Sequence, residues 1–252
     1  MSVSARQSVE QSIALTGISK SFAAQKVLDN ISLTINRGEI VALLGASGGG
    51  KSTLLNLMSG LLPADGGDIA IQGIPAKQFQ HWQRIAYLFQ EDRLLPWRTV
   101  EQNVHFGLEN TTLFQAERRK RVSDALALVG LAEFTRHWPH QLSGGMRSRV
   151  ALARSLVVQP QILLMDEPFS RLDPQTRSAM HEELLRIQGM TGMTVVLVTH
   201  DVEEAVVLAD RVMILKPHPG RIHSETVLTL PRPRIPTQPE VNELIRLLRL
   251  EV

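Results

Sequence analysis

The stretch Gly45-Ala46-Ser47-Gly48-Gly49-Gly50-Lys51-Ser52-Thr53 decides the reading of this chain. It has the form G-x-x-x-x-G-K-S, whose glycines let the backbone wrap a phosphate chain with its N–H groups pointing inward. Its surroundings support the pattern. Glu39 to Leu44, before it, is a short apolar run of the kind a buried strand carries. Thr53 to Met58, after it, lacks helix breakers and sets Leu54, Leu57 and Met58 on one helical face. A strand is therefore expected to turn into a helix at this loop, and the helix N-terminus adds partial positive charge. Lys51 is the natural cation for β- and γ-phosphates, and the Ser52 hydroxyl can bind Mg²⁺.

Bulk composition sets the bounds. The chain has 252 residues, enough for one large domain or two modest ones. Hydrophobic residues are 43% and charged residues 21%, an ordinary globular balance. A net charge of +2 argues against bulk attraction to nucleic acid. Without cysteine there is no disulfide and no thiolate metal site, which suits a cytoplasmic protein. Met1 to Ser12 is polar and lacks the apolar core of a signal peptide. No run of 18 uncharged apolar residues occurs, so membrane association is expected through a partner.

Outward from the loop, residues 13–44 read as antiparallel strand material, with Ile13-Ala14-Leu15, Ile31 to Ile35 and the turn Asn36-Arg37-Gly38. Phe22 precedes a turn; it can stack on a nucleotide base, or it can be an ordinary core aromatic. Asp68 to Gly73 reads as a strand running into a turn, and Ile85 to Phe89 as another apolar strand ending at Gln90. Strand ends are where open α/β sheets bind ligands, and the Gln90 amide can reach Mg²⁺ or an attacking water. Leu94, Leu95 and Trp97 beside Pro96 form either an exposed docking patch or a loop packed on its own domain.

From Val100 to about Val158 the pattern is helical. Glu117 to Arg121 opens a charged helix with an apolar face of Val122, Ala125, Leu126 and Val129, ended by Gly130. Its basic run is short, lacks interleaved aromatics, and reads as a solvated face. Leu142-Ser143-Gly144-Gly145-Met146 then opens a second helix from a Gly-containing turn, a second start suited to an anion. Gln161 to Met165 is the clearest buried strand, and it delivers Asp166 and Glu167 at its end. Acids there are costly to bury unpaired, and they suit Mg²⁺ ligation and the polarisation of a water. Ser170 to Pro174 is a turn, followed by a helix from Gln175 to about Gln188. Thr194 to Thr199 is a further buried strand ending at His200, a γ-phosphate candidate; Arg211 to Leu215 is another strand, closed by Pro217-His218-Pro219-Gly220. Pro231 to Pro236 reads as a stiff linker, and Asn242 to Leu250 as an amphipathic helix that docks on the core.

In order and spacing, Gly45 to Thr53, Gln90, Leu142 to Met146, Ile162 to Glu167, Ser170 to Asp173 and His200 resemble the Walker A loop, Q-loop, signature motif, Walker B strand, D-loop and H-loop of ABC-transporter ATP-binding subunits. The resemblance spans about residues 13 to 220. Phe89 to Trp97 and Pro217 to Ile222 look more narrowly like the nitrate/sulfonate/taurine importer group.

The resemblance implies an α/β fold, a P-loop NTPase (RecA-like) core with an antiparallel β-subdomain and an inserted α-helical subdomain. It divides the chain into 1–89 and 159–222 for the core, 90–158 for the helical part and 223–252 for a C-terminal extension. It implies ATP and Mg²⁺ as ligands, and two ATPase subunits facing head to tail. Each ATP would lie between Gly45, Ala46, Ser47, Gly48, Gly49, Gly50, Lys51, Ser52 and Thr53 of one copy and Ser143, Gly144 and Gly145 of the other. Phe22 would stack on the base. Glu167 resembles the catalytic base and His200 the γ-phosphate sensor. Ser52 and Gln90 would ligate Mg²⁺, with Asp166 acting through water. Integral membrane permease subunits would dock beside Leu94, Leu95 and Trp97 at the cytoplasmic face of the inner membrane, with a solute-binding protein as an indirect partner and no nucleic acid. A non-transport ATPase of DNA repair or the ribosome is the alternative, but a long coiled coil or a second cassette does not fit in this chain. Ser148 and Arg171 depart from the group's usual residues after the signature motif and in the D-loop.

Overall fold

The computed structural model describes residues 10–23 and 25–252, so the reading of Met1 to Val9 lies outside the described residues. In chain order its elements are β1 (Gln11–Phe22), β2 (Gln25–Asn36), β3 (Ile40–Leu44), α1 (Lys51–Met58), β4 (Gly66–Ile71), β5 (Ile74–Pro75) and β6 (Ile85–Leu88). Three helices follow, α2 (Val100–Phe106), α3 (Gln115–Leu128) and α4 (Gly144–Leu156). Then come β7 (Ile162–Asp166), α5 (Pro174–Thr191), β8 (Thr194–Thr199), α6 (Val202–Leu208), β9 (Arg211–Lys216), β10 (Arg221–Val227) and α7 (Pro239–Arg249).

The strands divide into two sheets, ordered β2-β1-β4-β5 and β10-β9-β3-β8-β7-β6. The first is antiparallel, with Leu15 opposite Leu33 and Ile71 opposite Ile13. In the second, β9, β3, β8, β7 and β6 are parallel and β10 closes the edge antiparallel. Parallel strands covered on both faces read as continuous apolar runs. That is why Ile40–Leu44, Ile162–Met165 and Thr194–Thr199 are buried at every position. Their side chains alternate between two cores. Ile40, Ala42, Leu44, Leu163, Met165, Val195 and Leu197 pack with the helical insertion and α5. Val41, Leu43, Ile162, Leu164, Val196 and Val198 pack with α1 and the antiparallel sheet.

The fold is mixed α/β, with an antiparallel sheet on one side of a parallel core and a helical insertion on the other. The expected helical stretch from Val100 to Val158 is interrupted: turn and extended backbone occupies 107–114, and turns with two single 3-10 turns (Ala132–Phe134 and Pro139–Gln141) occupy 129–143. The face expected on the charged helix is buried as Val122, Ala125, Leu126 and Val129. The C-terminal helix docks through Val241, Ile245 and Leu248 rather than Leu247, which is 44% exposed. The linker before it is fastened to the core. Arg234 is buried, and its guanidinium donates to the carbonyls of Val206 and Ala209 at the end of α6 (2.7 and 2.5 Å) and of Leu228 and Leu230 (3.2 and 2.8 Å).

Candidate functional site

The parallel sheet brings the carboxyl ends of β3, β6, β7 and β8 to one edge, where open α/β sheets bind their ligands. From β3 comes the loop Gly45 to Gly50. Two glycines there are obligatory. A Cβ on Gly45 (φ +155°) would lie 2.3 Å from the Leu215 carbonyl oxygen. A Cβ on Gly50 (φ +83°) would lie 2.6 Å from the Leu28 side chain. Gly50 is also the left-handed residue from which α1 starts, and among the described residues no side chain caps that helix. Its first N–H groups therefore stay available to an anion. Ala46, Ser47 and Gly48 are exposed, Gly49 is buried, and Thr53 is half-buried in the first turn.

Lys51 is 5% exposed and its ammonium donates to the carbonyls of Gly45 (2.7 Å) and Ala46 (2.8 Å). Burial holds its pKa below the ordinary lysine value, while Glu167 and Asp166 act to raise it. Ser52, next to it, donates its hydroxyl to Asp166 Oδ1 at 2.8 Å. Asp166 has a raised pKa. Burial is the main cause and the Glu167 charge adds to it, against hydrogen bonds from Ser52 and Tyr87.

Glu167 sits at φ +43°, a left-handed conformation that β-carbon sterics disfavour outside functional corners. Its backbone N–H donates to Val198 O at 3.0 Å, and its carboxylate Oε2 lies 3.0 Å from His200 Nδ1. The sheet thus joins Lys51, Ser52, Asp166, Glu167 and His200 into one cluster. Gln90 lies just past β6 and donates to Ser170 Oγ at 3.4 Å; among the described residues no hydrogen bond links it to Ser52 or Asp166. Arg171, beside Ser170, pairs with Glu91 at 3.2 Å, so the turn after Glu167 touches the segment after β6 twice.

Ser143 caps α4, its hydroxyl accepting from the Met146 N–H at 3.2 Å. Ser143 and Gly144 are exposed, and Gly145 packs so closely that a Cβ would meet Thr176 at 2.5 Å. Arg147 bonds Leu142 O (2.9 Å) and Asp92 (3.1 Å), tying this helix start to the Gln90 segment. Ser148 turns its hydroxyl to Gly144 O at 3.2 Å. None of these hydrogen bonds joins Ser143, Gly144 or Gly145 to the Lys51 cluster of the same chain.

Phe22 is 45% exposed at the end of β1, which rules out the core alternative. Trp97 is 69% exposed whereas Leu94 packs on the larger core, so the patch at 94–97 is part surface and part packing. Tyr87 was not readable as a site residue: its hydroxyl donates to Asp166 Oδ2 at 3.4 Å, and burial with the neighbouring Asp166 raises its pKa. A tyrosine inside an apolar strand carries no signal of that kind by itself.

The ABC transporter family model matches residues 28–170. The aliphatic sulfonates import ATP-binding protein SsuB of Mycobacterium avium is 47% identical over 89% of this chain and 84% of that protein. The putrescine transport ATP-binding protein PotG of Escherichia coli is 45% identical over 83% of this chain and 56% of that protein. CbiO1 of Clostridium perfringens, part of the ABC transporter complex cbiONQ, superposes with a TM-score of 0.82 at 30% identity, covering 96% of both chains. A bacterial ABC transporter cassette solved as a dimer bound to ADP and Pi superposes with a TM-score of 0.74 at 32% identity, over 86% of this chain and 99% of that one. The chain belongs to the ABC transporter family and is one of its ATP-binding subunits.

Proposed function

We propose that this chain binds and hydrolyses ATP to energise a membrane importer of small sulfonate-, taurine- or nitrate-like solutes. The observation that carries the reading is the gathering of Lys51, Ser52, Asp166, Glu167 and His200 at one sheet edge, with a second, exposed helix start at Ser143 that shares no hydrogen bond with them.

In this reading the N–H groups of Gly45 to Thr53 cradle the phosphates and Lys51 neutralises their charge. Lys51 exchanges its loop carbonyls for phosphate oxygens. Glu167 orients a water for in-line attack and takes its proton, and His200, held by the same carboxylate, donates to the γ-phosphate. Phe22 stacks on the adenine. Ser143, Gly144 and Gly145 complete the site of a second copy. The donor set fits Mg²⁺. Ser52 Oγ and Asp166 Oδ1 are hard oxygens 2.8 Å apart. Among the described residues no trio of His, Asp or Glu forms a full cage, as expected of an ion held largely by phosphates and water. Ser52 and Gln90 would hold it, with Asp166 through water, and the ion would supply neutralisation of phosphate charge.

No described helix is long and apolar enough to cross a membrane. Attachment would go through permease subunits at the cytoplasmic face of the inner membrane, with exposed Trp97 at the contact and a solute-binding protein acting on the far side. The SsuB relatives favour a sulfonate; the PotG relative keeps a polyamine as the second solute class. The test is gentle extraction of native membranes carrying the tagged chain. Co-purification of a multi-span membrane protein encoded beside a solute-binding protein is expected, and sulfonates and polyamines are then titrated against that binding protein. A purely soluble partner, or nucleic acid, would overturn the transport reading. In the same pull-down Trp97→Ala should recover about tenfold less permease at unchanged ATP hydrolysis; equal recovery counts against Trp97 as the contact.

A further inference from the structure

Asp65 stands seven residues after the end of α1 and binds three successive residues of β1. Its backbone N–H donates to Ser19 O at 3.0 Å. Its carboxylate takes the Lys20 ammonium on Oδ1 and the Ser21 N–H on Oδ2, each at 2.7 Å. The next residue of β1 is Phe22. Lys20 is 8% exposed, and its ammonium sits 5.6 Å from the centre of the Phe22 ring. The two hydrogen bonds hold the Asp65 carboxyl below its ordinary range, Lys20 first and Ser21 second.

The corner carrying Asp65 is itself fixed at both ends. On one side Leu62 N–H donates to Asn56 O of α1 at 3.1 Å. On the other Gly67 (φ +82°) lies so close to β1 that a Cβ would sit 2.4 Å from Thr16 O. A short rigid path therefore runs from Lys51, at the head of α1, to the backbone bearing Phe22. A stacking platform must sit at a set distance from the phosphates, because the nucleotide spans both. The end of β1 is held on one side by its pairing with β2, where Phe22 lies opposite Gln25, and on the other by Asp65.

We infer that Asp65, clamping Lys20 and the Ser21 N–H, is a positioning residue that sets Phe22 against the nucleotide base. The inference rests on the reading of Phe22 as the base platform.

The test is isothermal titration of the full-length chain, with Mg²⁺, using ATP and inorganic tripolyphosphate as separate probes. Phe22→Ala should weaken ATP about tenfold and leave tripolyphosphate within about twofold, since the lost contact is a base stack. Asp65→Ala should do the same, with Lys20→Met as a second variant that breaks the clamp from the buried side. Phe22→Ala with Asp65→Ala together should be no weaker for ATP than the stronger single change, because both remove one interaction. Equal loss of ATP and tripolyphosphate in Asp65→Ala would show a general effect through α1 and overturn the inference. So would a normal ATP affinity in both clamp variants while Phe22→Ala is impaired, or additive losses in the double variant. An unchanged ATP affinity in Phe22→Ala would instead remove the platform reading, and the inference with it.

Discussion

The chain contains two glycine-bearing turns that open helices, and they are built in opposite ways. The first, at Gly45 to Lys51, follows a fully buried strand and starts from left-handed Gly50 without a side-chain cap. It keeps a buried cation folded onto its own carbonyls. The second, at Ser143 to Gly145, follows a loop and is capped by its own serine. Its nearest cation, Arg147, is turned to Leu142 O and Asp92, and Ser143 and Gly144 lie exposed. Uncapped N–H groups around a caged lysine can hold a phosphate chain within one molecule. A capped, exposed helix start can add donors to a phosphate that something else already holds. Under the proposed function the first serves binding and the second completes a site in another copy.

The comparison can be broken in order of expected effect. Glu167→Gln removes the proposed base: turnover should fall about a thousandfold with ATP binding retained. Hydrolysis near the native rate would move the base elsewhere. Ser143→Arg should lower turnover about a hundredfold while the ATP dissociation constant of the isolated chain stays within about twofold. A matching loss of affinity would mean that the second start serves its own chain. Lys51→Ala should show the reverse signature, weakening ATP binding about thirtyfold through loss of a charge-assisted contact. An unchanged affinity would refute the first assignment.

The smallest effect concerns Asp166. Its raised pKa means that the fold favours the protonated carboxyl, so stability is lost as pH rises from the unfolded-state value through the folded one, and the cost vanishes only below the unfolded-state value. Asp166→Asn at neutral pH should therefore raise the melting temperature by about 2 °C without nucleotide while abolishing hydrolysis. A lower melting temperature would show that Ser52 and Tyr87 more than offset the buried charge.

Much of this was legible in the residues because parallel core strands are unmixed apolar runs. Ile40–Leu44, Ile162–Asp166 and Thr194–Thr199 announce themselves, and the residue after each, Gly45, Glu167 and His200, marks the site edge. Elements lacking that contrast were missed. β10 alternates half-buried and exposed residues at the sheet edge, and its Arg-Ile-His-Ser-Glu-Thr-Val resembles a loop. α6 has seven residues, too few for a periodic face; its signal was Asp201, whose carboxylate accepts from the N–H groups of Glu203 and Glu204. Contacts between distant side chains were beyond reach. Nothing local in Tyr87 points to Asp166, and nothing in a proline-flanked Arg234 points to the four carbonyls it binds.

The central claim is that two copies build one ATP site from unlike halves. It is tested most directly by sedimentation of the Glu167→Gln chain with ATP and Mg²⁺, with and without Ser143→Arg. An ATP-dependent dimer is expected, lost when Ser143→Arg is added even though ATP remains bound. A monomer with ATP bound, or a dimer indifferent to Ser143→Arg, would contradict the account.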